Sequence, residues 1–186
     1  MKRKKNWILC KYKWSMNSKF IITNSIRFVL LIALQILLLN ELPLGRVYVM
    51  IYPLTILLLP VFTPRLVVLL LAFFTGLIID IFSNGGGLHT ATLTAIGFSR
   101  SYMLDTFQPR SGWDKLDVPN ISQQGVTWFF YYSLIMFTMH HFLYFFLEVF
   151  SFANFFSTIF RTFLSLLGSL SIVWIITLFF MRNTRE

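Results

Sequence analysis

Apolar residues run through this chain in six long blocks, separated by short polar or proline-marked joints. A helix that crosses a bilayer needs about 20 predominantly apolar residues. On that measure the candidates are residues 20–39, 47–62, 66–82, 88–107, 126–147 and 155–181. The pattern predicts an all-α membrane protein with six transmembrane helices. The second block is short and broken by Pro53 and Pro60, so it is expected to be strongly kinked or partly re-entrant. The sixth is long enough to tilt. Residues 108–125 make the one sizeable polar loop, mixed in charge and carrying Trp113. It is too short to fold alone and is expected to lie on the membrane or dock on a partner.

Composition agrees with the pattern: 56% of the residues are hydrophobic and 12% charged, against about a quarter charged in soluble proteins. The charge is lopsided, with 16 Lys and Arg against 7 Asp and Glu. Eight of the cations lie in the first 27 residues, most of them in a basic arm, residues 1–19, ahead of the first apolar block. Such an excess suits nucleic acid or an anionic membrane surface. No nucleic-acid-binding signature accompanies it, and its place beside a span favours membrane lipid and no nucleic acid.

Charge also sets direction, because cytoplasmic loops hold the Lys and Arg. Six crossings with both termini cytoplasmic put fourteen of the sixteen cations inside, including Arg65, Arg100, Arg110, Lys115 and the two in the tail, residues 182–186. Arg46 and Arg161 are left outside. A re-entrant second block would strand Arg65, Arg182 and Arg185 on the outer face. The first block ends in Asn40-Glu41-Leu42-Pro43 without a small-x-small cleavage signal, so it reads as a retained signal anchor. Cys10 is the single cysteine and has no partner for an intrachain disulfide.

The polar residues inside the apolar blocks carry the specific signal, since a buried ionisable group in a membrane is costly. Asp80 ends the third block and is followed by Ser83-Asn84-Gly85-Gly86-Gly87-Leu88-His89. Ala72, Gly76 and Asp80 recur every four residues and share one helix face; Gly87, Ala91, Ala95 and Ser99 do the same on the fourth block. Small residues at that spacing let backbones approach, so the two blocks are expected to pack as a tight antiparallel hairpin. Asp80 would then face the free N–H groups that begin the fourth block. Three roles stay open to it: a cap or turn-lock, a partner contact, or a proton or ion relay with His89. His140 and His141 are adjacent and point about 100° apart on a helix, which suits interhelical hydrogen bonds better than a shared metal. Arg161 and Glu148 are placed to pair, and Gln35 to bond a neighbouring helix. No nucleophile, base and orienting group come together, and the glycine turn lacks the lysine of a phosphate-binding loop. Neither an enzyme nor a cofactor is expected.

The run Tyr52-Pro53-Leu54-Thr55-Ile56-Leu57-Leu58-Leu59-Pro60, then Thr63-Pro64-Arg65, Gly76-Leu77-Ile78-Ile79-Asp80-Ile81-Phe82, Gly87-Leu88-His89 and Arg100 resembles the rod shape-determining family MreD, from about Met16 to the C-terminus. One departure is Ser101 after Arg100, where the family often has proline. The resemblance implies a bacterial inner-membrane component of the cell-elongation machinery without catalytic activity. Its implied partners are the scaffold MreC and, more indirectly, MreB, RodA and its transpeptidase. The family fold is thought to be similar to the substrate-binding subunits of energy-coupling vitamin transporters. That likeness makes a transporter subunit the rival reading, with Asp80, Asn84 and His89 lining a pocket and Ala91 and Ala95 docking an energising subunit. A proton-coupled channel built on Asp80 and His89 is a third.

Overall fold

A computed structural model of the chain describes residues 18–39, 47–110, 112–114, 117–150 and 155–181. Most of the basic arm, Cys10, Asn40 to Arg46, Lys115 and the C-terminal tail lie outside the described residues. Within them the fold is helical, with no strand. Helix α1 (Ser18–Leu34) ends in a π-helical turn (Gln35–Leu39), and a five-residue helix α2 (Pro53–Leu57) follows an irregular stretch. Helices α3 (Arg65–Ser83) and α4 (Leu88–Thr106) form a hairpin. The short α5 (Ile121–Gln124) leads into α6 (Val126–Val149) and α7 (Phe155–Met181).

Three of these helices, α3, α6 and α7, are long and apolar enough to cross a membrane, and α1 contributes a shorter apolar stretch, Ile22–Leu37. Polarity is arranged the wrong way round for water. The α3 residues Leu66, Leu70, Phe74 and Ile81 are exposed, while Gln35, Thr55, Asp80, His89, Arg100, His140 and His141 are buried. A bilayer as solvent accounts for both halves of that arrangement. The chain is an all-α membrane protein.

The second apolar block departs from a spanning helix. Residues 47–51 have no helical structure, and only Pro53–Leu57 coil, with Pro53 in the first turn where its missing N–H costs nothing. Every residue from 49 to 58 is buried. The contacts give the stretch a direction. It runs antiparallel to α1, Gln35 meeting Val49 and Ile51 while Arg27 meets Leu58. It is antiparallel to α6 as well, where His140 faces Tyr52 and Tyr132 faces Leu57. The stretch is thus the spine around which the longer helices stand.

Helices α3 and α4 form the closest pair. A Cβ added at Gly76 would lie 2.5 Å from the Cα of Thr90 and 2.7 Å from the carbonyl of His89, so backbone touches backbone there. One turn away the methyl of Ala72 would lie 3.0 Å from a Cβ at Gly97. The face that α4 turns to α3 is therefore Thr90 and Gly97. This corrects the stripe expected from spacing: Ala91 is exposed and Ala95 half-buried. The joint is closed by backbone in the left-handed region at Asn84 (φ 52°), Gly86 (φ 60°) and Gly87 (φ 91°). Asn tolerates this conformation and Gly adopts it freely.

The described part of the loop after α4 folds back on its own bundle. Val118 and Ile121 are buried, the backbone N–H of Val61 bonds the Asp117 carbonyl at 2.9 Å, and the Trp113 indole N–H reaches the Leu104 carbonyl at 3.3 Å. Trp113 also meets Trp128 edge-on at 5.6 Å.

Gly76→Ala should test the hairpin. Its methyl has only backbone to displace, so the variant should lose about 1–3 kcal/mol of stability, read as a lower unfolding midpoint in detergent, whereas Ala91→Gly on the exposed face should move it by less than about 1 kcal/mol.

Candidate functional site in the polar seam

Residues 48–51 place unpaired backbone groups deep in an apolar bundle, and each such group left unsatisfied costs several kcal/mol in hydrocarbon, as an order of magnitude. Side chains from two helices satisfy four of them. On one side the Gln35 amide donates to the Val49 carbonyl at 3.1 Å, and its oxygen accepts the Ile51 N–H at 2.7 Å. On the other, Ser165 Oγ accepts the Tyr48 N–H at 3.0 Å and Ser169 Oγ accepts the Met50 N–H at 2.9 Å. The four bonds alternate like the two edges of a strand in a sheet. Helix neighbours are replaced by three polar side chains.

The far end of the stretch has the opposite need, because a helix C-terminus leaves carbonyls without donors. Arg27 donates to the Leu58 carbonyl at 2.8 Å and to Asn24 Oδ1 at 2.7 Å. Arg100 donates to the carbonyls of Leu59 and of Pro60, the latter at 3.3 Å, and is almost wholly buried. Two cations counted toward the inner side in the sequence are thus directed inward onto backbone. Negative partial charge at a helix end makes the exchange favourable.

At the other end sits the hairpin carboxylate. Asp80 Oδ1 accepts the His89 N–H at 3.1 Å, and Oδ2 accepts the Thr90 N–H at 2.8 Å and the Thr90 hydroxyl at 2.5 Å. The side chain bridges the glycine turn and caps α4, a favourable place for negative charge. Gly87 begins the helix, and Gly76 and Ala72 let α3 come near enough for the carboxylate to reach.

Between these ends lies a cluster of buried rings. Tyr52 Oη stands 2.8 Å from His89 Nδ1 and 2.7 Å from His140 Nε2, meeting both rings edge-on. Thr92 Oγ1, whose hydroxyl donates to the Leu88 carbonyl at 2.8 Å, is 3.4 Å from His140 Nε2. His141 points elsewhere. Its Nδ1 donates to the Phe137 carbonyl at 2.9 Å, so its Nε2 accepts from the Ser169 hydroxyl at 2.9 Å. Ser169 therefore ties α6, α7 and the backbone of Met50 together. Two buried polar atoms have no partner in the seam, Nδ1 of His140 and Nε of Arg100.

The remaining expected residues fall outside the seam. Ala91 faces away from the protein and Ala95 is half-buried. Arg161 and Glu148 pair at 2.9 Å, with the guanidinium over the Tyr48 ring at 4.5 Å and the Phe145 ring at 4.9 Å. Sequence reasoning missed Tyr52, Thr90 and, above all, Ser165 and Ser169. A signal for the serines existed: Thr158, Thr162, Ser165, Ser169 and Thr177 recur every three or four residues, or a multiple, along an otherwise apolar helix, and all five are buried. No family model matches the chain, and neither does any curated protein or solved structure.

Ser169→Ala should cost about 1–3 kcal/mol, because the Met50 N–H and the His141 ring lose their shared partner. Ser171→Ala, where the exposed hydroxyl bonds only the Leu167 carbonyl of its own helix, should change the unfolding midpoint little. Asp80→Ala should speed hydrogen exchange at the amides of His89 and Thr90 and lower stability by about 1–3 kcal/mol. Asp80→Asn, which keeps one acceptor oxygen, should fall between it and wild type.

Proposed function

We propose that the chain is a non-catalytic membrane adaptor of the MreD type, which binds MreC and helps to organise peptidoglycan synthesis in the bacterial inner membrane. The observation that carries this reading is the use to which the interior polar groups are put. Asp80, His89, Gln35, Ser165, Ser169, Arg27 and Arg100 are all engaged in holding this chain's own backbone and rings. A vitamin-type transport subunit needs such groups turned toward a vacant polar pocket near the glycine turn. A cleft of about 650 Å³ lies elsewhere, between the first turns of α6 and the middle of α7; it is open and mostly apolar, lined by Val126, Phe130, Leu134, Leu170 and Trp174. An interior occupied by its own chain suits a protein that acts through its outer faces.

In this reading the chain crosses the bilayer six times, with residues 47–62 as the second crossing and both termini cytoplasmic. The alternation of direction supports it: α1, α3 and α6 run one way, and the buried stretch, α4 and α7 the other. Extended backbone also lets few residues go far. Five residues at about 3.3 Å each cover about 16 Å, for which a helix takes about eleven.

Co-expression with MreC and purification in mild detergent should give one complex in which both chains co-elute. Failure to associate, together with a small metabolite retained by the isolated protein in native mass spectrometry, would transfer the assignment to a transport subunit.

A further inference from the structure

Three features outside the adaptor reading stand out: the apolar cleft between α6 and α7, the exposed Phe150 held at φ 39°, and the buried rings at Tyr52. The first two lack any sign of what covers them. The third has direction and an open end.

His89, Tyr52 and His140 form an unbroken line of hydrogen-bonding atoms, Nδ1 to Oη at 2.8 Å and Oη to Nε2 at 2.7 Å. Three further observations give this line a mouth and a terminus. His89 Nε2 makes no hydrogen bond among the described residues, and the residue, 6% exposed, keeps a small opening to the surface. The neighbouring Cδ2 lies 2.7 Å from where a Cβ would stand at Gly85, so the ring edge sits directly beneath the glycine turn and a side chain at Gly85 would press on it. At the inner end, His140 Nδ1 is fully buried with nothing bonded to it.

We propose that these three side chains are a proton relay, which takes a proton from the glycine-turn end of the bundle and holds it on His140. The hydrogen-bond count allows two arrangements, because a neutral imidazole carries one N–H and Tyr52 one O–H. In the first, His89 Nδ1–H donates to Tyr52 Oη, whose O–H donates to His140 Nε2, and His89 Nε2 is bare. A proton added at His89 Nε2 lets the Nδ1 proton pass to Oη and the Oη proton pass to His140 Nε2. One proton has entered, two N–H or O–H bonds have formed and broken along the line, and the positive charge rests on His140 as imidazolium. The Thr92 oxygen, its own proton directed to Leu88, then accepts from the new Nε2–H alongside Tyr52.

The groups facing this line are few. Among the described residues Asp80 on α3 is the carboxylate beside it, and it is bonded to the backbone of His89 and Thr90. From α6 come Tyr144, whose ring centroid is 4.8 Å from that of His89, and His141, engaged with Phe137 and Ser169. Glu148 and Arg161 are paired with each other. The inference does not rest on the adaptor reading, since it concerns only the interior.

The chain has three histidines, so ring-15N-labelled full-length protein in lipid nanodiscs gives an uncrowded NMR spectrum, titrated from about pH 8 down to about pH 3, wide enough for a histidine in any surroundings. In wild type both His89 and His140 should report protonation. In Tyr52→Phe the His140 response should be lost while His89 still responds. His89→Gln, which keeps a polar side chain at the mouth, should silence His140 too and serves if the phenylalanine variant does not fold. A His140 that never responds in wild type, or one that responds unchanged in either variant, overturns the relay. A merely structural Tyr52 would leave His140 titrating.

Discussion

Everything in this bundle answers to one constraint: backbone that is neither helical nor paired in a sheet lies in its centre, and each N–H and C=O there requires a partner. The N–H groups of Tyr48, Met50 and Ile51 and the Val49 carbonyl find theirs in Gln35, Ser165 and Ser169, and the carbonyls of residues 58–60 in Arg27 and Arg100. Irregular backbone at membrane depth is tolerated only where protein encloses it. The enclosing helices are therefore selected for polar groups at particular heights, on faces that would otherwise be apolar. This explains why a chain so rich in Phe and Leu keeps Gln35, Arg100, Ser165 and Ser169 inside.

The hairpin of α3 and α4 meets the same demand by a different route. Small residues bring two backbones together, and the space they free lets one carboxylate satisfy the start of the next helix without water. Its position also fixes His89, whose ring then lies against Tyr52 at the top of the buried stretch. Local close packing and the long-range polar seam thus meet at one residue. A change at Gly76 or Asp80 is expected to be felt at Tyr52, though neither touches it.

The sequence made much of this legible. Block lengths located the long helices, and four-residue spacing marked Ala72, Gly76 and Asp80 on α3. On α4 the same spacing misled, because Ala91 and Ala95 are as small as the residues that do face α3, and size alone does not tell a packed face from a lipid-facing one. Pro53 and Pro60 announced a disturbed second block, but not that it would be extended, since a hydropathy window assumes 1.5 Å per residue. Arg27 read as a cation reaching for the inner surface, and Arg100 as one closing the fourth block on the inner side, for a similar reason. Composition shows a cation near a span end, and only the fold shows a carbonyl waiting for it.

The sources of those hydrogen bonds also impose an order of assembly. Asp80 and the amides it caps are separated by nine and ten residues, so that hairpin is complete as soon as α4 exists. The partners of Tyr48 and Met50 are 117 and 119 residues further on, in α7, the last of the described helices to be synthesised. Until α7 arrives those two N–H groups have no serine to bond, and the stretch must stay either coiled on itself or wet. The unwound spine is then the final feature to form, and a chain halted before α7 would hold its first four-fifths together around a segment in a different conformation.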